Sequence, residues 1–384
     1  MEKETDKQSQ KTVRIFSIAS FMNDMGSDII APIWPIFLTT VLGANMEVLG
    51  LVDGLGDAVV SLSKAISGYW SDKIRNRKVF VWTGYLFGGL SRLGYALSTT
   101  WIMVIPFRIL DRAGKIRGSP RDAMVADISK DTNRAKNFGV IEGFDNAGAV
   151  VGILISILLI RFLPLRTIFV VAAFPSAISV LLILKYIKER RVDGERLYKG
   201  LSFKDLNFSS WLFLVLNAIF ALGAFSYSFL LIFASKMGFA VTTIPILYLI
   251  YSAVAAISAR EFGRLADLIG RKPVLSFSFI FWGLVPFIAI FYPTFIGLVL
   301  IFVLFGLHSA SLNTVQKTVV AEFAPVEYRA SFLGAFQMVI GLVALPASLF
   351  AGILWDRVSI QAPFYFSLGL TIIALIMLQF VKKK

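Results

Sequence analysis

Apolar residues run through this chain in twelve long stretches, at about 13–42, 46–70, 78–98, 101–125, 138–161, 166–187, 209–236, 242–262, 273–292, 294–320, 328–355 and 362–381. An α-helix rises about 1.5 Å per residue, so about 20 apolar residues cross the roughly 30 Å hydrocarbon core of a bilayer. Every stretch is long enough. The pattern predicts an all-α membrane protein with twelve transmembrane helices. The longest polar connection, Lys188 to Asn207, falls between the sixth and seventh stretches. It divides the chain into an N-terminal six-helix bundle at 1–187, a linker at 188–208 and a C-terminal six-helix bundle at 209–384.

Composition agrees with this pattern. The chain of 384 residues is 57% hydrophobic, with a mean hydropathy of +0.75, well above a soluble domain. Its net charge of +14 comes from 38 basic against 24 acidic residues. On a soluble protein that excess would point to nucleic acid. Here the basic residues gather in alternate loops, around Lys73–Lys78, Lys130–Lys136, Lys188–Lys204, Arg271–Lys272 and Lys382–Lys384. Cytoplasmic loops retain such residues, so both termini are expected in the cytoplasm of a multi-pass cell-membrane protein with no nucleic-acid partner. There is no cysteine and a single histidine, His308. No thiolate or His-rich metal site is therefore expected, and no Gly-x-x-x-x-Gly-Lys-Ser/Thr loop is present for ATP. The expectations are no cofactor, no metal, no enzyme activity, a monomer in lipid, and a small-molecule substrate with protons as co-substrate.

The two halves repeat. Gly68, Asp72 and the basic run to Lys78 recur as Gly263, Asp267 and Arg271-Lys272 at an offset of 195 residues. The same offset aligns Val125-Ala126-Asp127 with Val320-Ala321-Glu322, Arg134-Ala135 with Arg329-Ala330, and Gly139 with Gly334. Such a period inside an apolar chain is the signature of a transporter built from two halves. The repeated segment resembles the cytoplasmic signature of the major facilitator superfamily, Gly-x-x-x-Asp-Arg/Lys-x-Gly-Arg-Arg/Lys. Residues 263–272 fit it with Leu268 at a usually basic position, and the first copy puts Arg75 at the glycine position. The resemblance implies two pseudo-symmetric six-helix bundles working by alternating access. It also implies a cytoplasmic latch formed by Gly68, Asp72, Lys73 and Arg77 with Gly263, Asp267, Gly270 and Arg271. The stretch from Arg108 to Gly114 is similar to the Arg-x-x-Gln-Gly-x-Gly run of proton-coupled efflux members, with Asp111 and Arg112 in place of Gln and Gly. In the fifth stretch, Gly148-x-x-x-Gly152 lacks the following proline of the antiporter signature.

Charged residues inside spans are costly and are functional candidates by default. The N-terminal half carries most of them: Asn23, Asp24 and Asp28 in helix one, Asp53, Asp57 and Lys64 in helix two, Arg108, Asp111, Arg112 and Lys115 in helix four, and Glu142 and Asp145 in helix five. A carboxylate in apolar surroundings can load and release a proton, which makes Asp24, Asp28, Asp57 and Asp111 the proton-coupling candidates. Arg108, Arg112, Glu142 and Asp145 are the expected charge-pair partners, the two arginines facing an acid of helix one, two or five. Trp34, Tyr227, Tyr251, His308, Asn313 and Gln337 are candidates to line a substrate cavity. The reading is a secondary transporter, proton-coupled and exporting small amphipathic or cationic compounds. The alternatives are a proton symporter or uniporter importing a small metabolite, and a non-transporting membrane protein such as a lipid scramblase or sensor.

Overall fold

The computed structural model describes residues 2–74, 76–129, 133–189, 208–323 and 329–381. All twelve apolar stretches are helical, and no strand occurs among the described residues. The helices are α1 (Glu2–Ile30), α2 (Trp34–Ile36), α3 (Met46–Ile74), α4 (Arg77–Leu97), α5 (Trp101–Ala113), α6 (Gly118–Ile128), α7 (Arg134–Leu159), α8 (Leu165–Tyr186), α9 (Phe208–Gly223), α10 (Tyr227–Lys236), α11 (Ile244–Ile269), α12 (Arg271–Phe291), α13 (Phe295–Phe323), α14 (Arg329–Arg357) and α15 (Ala362–Phe380). Among the described residues, eight segments from Lys136–Leu159 onward are long and apolar enough to span a bilayer by composition. The four N-terminal segments are more polar, because of charged positions such as Asp24, Asp57, Arg92 and Asp111.

Three of the expected spans are interrupted, each at residues that explain the break. The first turns at Ala31–Ile33, around Pro32, before α2 and a π-helical turn at Phe37–Val41; proline removes a backbone donor. The fourth tightens to a 3-10 turn at Gly114–Arg117, with Gly114, Gly118 and Pro120 in sequence around it. The seventh opens at Ala224–Ser226, and the Ser226 hydroxyl caps α10 by accepting from the Ser228 amide at 3.3 Å. Backbone freed at membrane depth must find partners of this kind.

The chain divides into two compact units, Met1–Gly43 with Val59–Glu195, and Ala44–Ala58 with Arg196–Lys384. The sequence assigns residues 44–58 to the N-terminal bundle, whereas they pack with the second unit. The linker expected at 188–208 lies largely outside the described residues.

In the first unit, α1 lies along α7 and α8, and α4 packs against α8 and α5. Lipid tails are as apolar as leucine, so helices associate through close van der Waals contact rather than through exclusion of water. Gly148 and Gly152 of α7 make that contact: a Cβ at either would lie 2.3 Å from the Phe21 or Met25 carbonyl oxygen of α1. Their spacing is thus explained by packing.

In the second unit, α13 packs between α11 and α12, and α9 against α15 and α14. Residues 44–58 join it through the same small-residue device. A Cβ at Gly50 would lie 2.0 Å from the Ser348 oxygen, and one at Gly352 would lie 2.2 Å from the Met46 oxygen. Polar ties reinforce the crossing. The Glu47 amide donates to Asp356 at 2.7 Å, Arg357 donates to Glu47 at 3.1 Å, and Ser226 donates to buried Asp53 at 2.7 Å.

The α1–α7 crossing makes a contrast within one helix testable. Gly148→Ala is expected to lower stability by about 1–3 kcal/mol, as overpacking does. Gly143→Ala, with nothing within 4 Å of its added methyl, should be neutral or raise stability by up to about 1 kcal/mol through helix propensity. Unfolding of the purified protein in mixed micelles distinguishes the two; equal effects would dismiss the packing role.

Candidate functional site

The 3-10 turn in the fourth span sets the geometry of the first unit's interior. By tightening the helix after Ala113, it re-aims the cations that follow. Gly114 permits the close approach, since a Cβ there would stand 2.7 Å from the Gly84 oxygen of α4. Arg117, buried in the turn, donates to the Gly114 carbonyl at 2.9 Å and lies over the Tyr85 ring at 5.1 Å. Its other terminal nitrogen is 3.6 Å from Asp24 Oδ1 on α1. One helical turn later, Arg121 donates to Ser20 of α1 at 2.6 Å, to Asp145 of α7 at 3.2 Å and to its neighbour Asp122 at 3.0 Å. Ser20 in turn shares a hydrogen bond of 3.1 Å with the Tyr85 hydroxyl.

Two carboxylates and two guanidiniums from α1, α6, α7 and the 3-10 turn thus meet around one serine and one tyrosine. Asn23 completes the Asp24 environment, donating to its Oδ1 at 2.9 Å. Lys115 adds a further positive charge that interacts with Asp24 and Arg117. Counted from Lys136, Asp145 lies roughly 14 Å along α7, well inside the hydrocarbon. Burying such charges is tolerable only when they are paired and hydrogen-bonded. A guanidinium does not give up its proton at accessible pH, so the members of this cluster able to change charge are its carboxylates, the Lys115 ammonium and the Tyr85 phenol.

A second group of cations lies toward the other end of the unit. Arg108 is buried over the Trp34 ring at 4.3 Å, and Trp34 packs on Tyr95 at 4.9 Å. Arg112 is 3.6 Å from Asp111 in its own helix, and Ser91 donates to Asp111 at 3.4 Å. Arg92 of α4 is fully buried. It donates to the carbonyls of Ala172 and Asn23 and to the hydroxyls of Ser176 and Ser27. It ties α1, α4 and α8 together through neutral acceptors.

The placement of the expected residues can now be stated. Asp24 and Asp145 belong to one cluster. Helix-four cations placed against them are Arg117 and Arg121. Asp28 is half-buried one turn beyond Asp24, and Asp57 and Glu142 are exposed. In the second unit, His308 is buried among Phe220, Trp282 and Phe305, with Nδ1 2.9 Å from both the hydroxyl and the carbonyl oxygen of Ser278. Tyr227, Tyr248, Tyr251 and Phe305 form a run of rings 4.6–5.4 Å apart. Asn313 is exposed and donates to Ser309 at 3.2 Å, and Gln337 is half-buried. Trp34 is sealed beneath Arg108 rather than open.

Of the repeated motif, the surroundings of Gly68 and the side chains of Asp72 and Lys73 lie outside the described set. Arg77 pairs with Asp127. The Glu189 carboxylate accepts from the Arg77 and Lys78 amides at 3.1 and 2.6 Å, capping the N-terminus of α4 where an acid is favoured. In the second copy Gly263 is half-buried and Asp267 exposed. Gly270 has φ 91°, a backbone state that favours glycine, and Lys272 donates to the Gln379 and Val381 carbonyls closing α15.

Sequence reasoning missed Arg92, Arg121 and the Ser20–Tyr85 bridge. Arg92 carried a usable signal, being the one charged residue in the otherwise uncharged run from Val79 to Leu97.

The family model of the Major Facilitator Superfamily matches residues 16–260 and 212–384. The chain belongs to the major facilitator superfamily. It is 36% identical to an uncharacterized MFS-type transporter of Methanocaldococcus jannaschii, over 98% of this chain and 96% of that one. It is 25% identical to Multidrug resistance protein 2 of Bacillus subtilis, over 76% of each. Among solved structures, a mutant of the nucleoside transporter NupG matches with a TM-score of 0.85 at 16% identity, over 97% of this chain and 100% of that one. That last likeness is one of fold. The superfamily's members are secondary transporters, and this one carries its intramembrane charges chiefly in the first unit.

The Arg117–Asp24 pair makes a specific energetic prediction for this transporter. Removing one partner leaves the other charge buried and uncompensated, whereas removing both does not. Arg117→Gln should therefore destabilise more than the double variant Asp24→Asn with Arg117→Gln, with a coupling of about 1–3 kcal/mol in a mutant cycle. Additive single effects in mixed-micelle unfolding would show that the two residues do not interact.

Proposed function

We propose that this superfamily member is a proton-coupled secondary transporter that exports small amphipathic or cationic compounds. The observation that carries the coupling is the cluster of Asp24, Arg117, Arg121 and Asp145. Such a set is expensive at membrane depth and has a use there if its carboxylates load and release protons. Export of cationic compounds is supported by acids at open positions, Asp57 and Glu142 with half-buried Asp28, and by the run of rings from Tyr227 to Phe305, whose faces attract cations. The multidrug resistance name of the Bacillus subtilis relative points the same way.

A second reading, proton-driven import of an anionic metabolite, has one observation in its favour. Helix four carries five basic residues, Arg108, Arg112, Lys115, Arg117 and Arg121, against two acids, Asp111 and Asp122.

Proteoliposomes with an imposed pH gradient separate the readings. Ethidium is expected to move against its own gradient while protons run down theirs, and to stop when a protonophore is added. The double variant Asp24→Asn with Asp145→Asn, which leaves the cluster no carboxylate beside Arg117 and Arg121 other than Asp122, should retain ethidium exchange but lose the response to the gradient. Gradient-driven accumulation of malate with no ethidium movement would favour the second reading. Ethidium exchange that ignores pH in the unaltered protein would refute proton coupling.

A further inference from the structure

Asp145 Oδ2 accepts from Arg121, whereas Asp145 Oδ1 is buried with no hydrogen-bond partner among the described residues. A carboxylate oxygen that no protein group meets at membrane depth is costly, since no protein donor offsets its desolvation. The most economical donor is a proton on that oxygen itself. It turns the acceptor into a hydroxyl and removes one negative charge from the cluster.

The neighbours favour the same step. Asp145 interacts with the second acid, Asp24 on α1, as well as with Arg121 and Ser20. Two carboxylates sharing one site resist being charged together, so one of them takes up the proton more readily. The two are not equivalent. Asp24 has the Arg117 guanidinium at 3.6 Å and the Asn23 amide at 2.9 Å, both on Oδ1. The cation of Asp145 is divided: Arg121 also serves Ser20 at 2.6 Å and Asp122 at 3.0 Å. The groups acting on Asp145 are Asp24 from α1 and Arg121 from α6; one contact further lie Asp122 on Arg121, Arg117 and Lys115 of the 3-10 turn beside Asp24, and Tyr85 of α4 on Ser20, with Glu142 three residues earlier in α7. Asp24 interacts with three cations, Arg117, Lys115 and Arg92, whereas the cation at Asp145 is Arg121, closer at 3.2 Å but shared with Ser20 and Asp122.

We propose that Asp145 is the proton-carrying residue of this transporter, with the exchanged proton held on Oδ1 and Asp24 remaining the charged partner of Arg117. The proposal rests on the proton-coupled reading above. The step balances simply: a proton from one aqueous face forms an O–H bond at Asp145 Oδ1, and the same bond breaks to release the proton at the other face. Protonation weakens the Arg121–Asp145 contact and leaves Arg121 to Ser20 and Asp122. Loading the proton therefore changes the tie between α6 and α7.

The proton is its own probe, so the test needs no substrate. Infrared difference spectra of the reconstituted protein are recorded between buffers of about pH 6.5 and pH 9, a window in which ordinary exposed carboxylates stay ionised. A protonated-carboxyl C=O band is expected in the unaltered protein, absent in Asp145→Asn, and shifted to the glutamic-acid position in Asp145→Glu. Asp24→Asn and Asp122→Asn are expected to keep the band. If Asp145→Asn fails to fold, the frequency shift in Asp145→Glu answers the question alone. A band unaltered by both Asp145 substitutions, or lost in Asp24→Asn instead, overturns the assignment. No carboxyl band in the unaltered protein overturns it as well. Ethidium flux is a separate readout: a band at Asp145 without gradient-driven flux would refute the coupled-transport reading and leave the proton site standing.

Discussion

The contact between Arg117 and Asp24, closed against the Tyr85 ring, is the interaction on which the interior of the first unit depends. A lone guanidinium or carboxylate at that depth would cost several kcal/mol. Neither α1 nor helix four is stable beside lipid with its charges unmet. The fold answers by breaking helix four into α5, a 3-10 turn and α6. The break turns Arg117 toward α1 and Arg121 toward both α1 and α7. Gly84 and Gly114 allow it by letting α4 approach the turn. Local backbone irregularity, glycine packing and charge pairing are thus one arrangement.

The second unit solves a different problem. Its interior is built from rings, as in the stacked Phe220–Phe279 pair at 4.0 Å, and its buried polar groups are satisfied locally. His308 shares hydrogen bonds with Ser278, and the Trp282 indole donates to Ser367 at 3.0 Å. The buried carboxylate at Asp53 enters this unit from α3 and meets the hydroxyl that caps α10 at the break in helix seven. The first unit groups buried charges in ion pairs, and the second builds an aromatic interior that Asp53 of α3 enters as a buried carboxylate. That division is in keeping with the proposed coupling in the first unit and with amphipathic or cationic compounds meeting aromatic faces in the second.

Much of this could be read from the sequence, and the rest escaped for definite reasons. Helix existence followed from the length of the apolar stretches, and the repeat at 195 residues led to the superfamily. The roles of single cations did not follow, because an ideal helix was assumed across Gly114–Arg117. On that assumption Arg108 and Arg112 share a face with their neighbours and Arg117 points elsewhere. Tightening of the turn brings Arg117 to Asp24. Gly148 and Gly152 looked like part of an antiporter signature, but their spacing is explained by contact with the backbone of α1. Residues 44–58 are continuous with the rest of helix two in sequence, and nothing in that continuity shows that Gly50 and Gly54 pack on α14.

The central claim is that the carboxylates of the first unit exchange protons with solution as part of transport. A pH jump applied to the protein on a solid-supported membrane, with no substrate present, tests it most directly. A transient charge displacement is expected as the proton moves to its buried site, with an amplitude that falls to background in Asp145→Asn. Absence of any transient in the unaltered protein, or a transient of equal size in that variant, would contradict it.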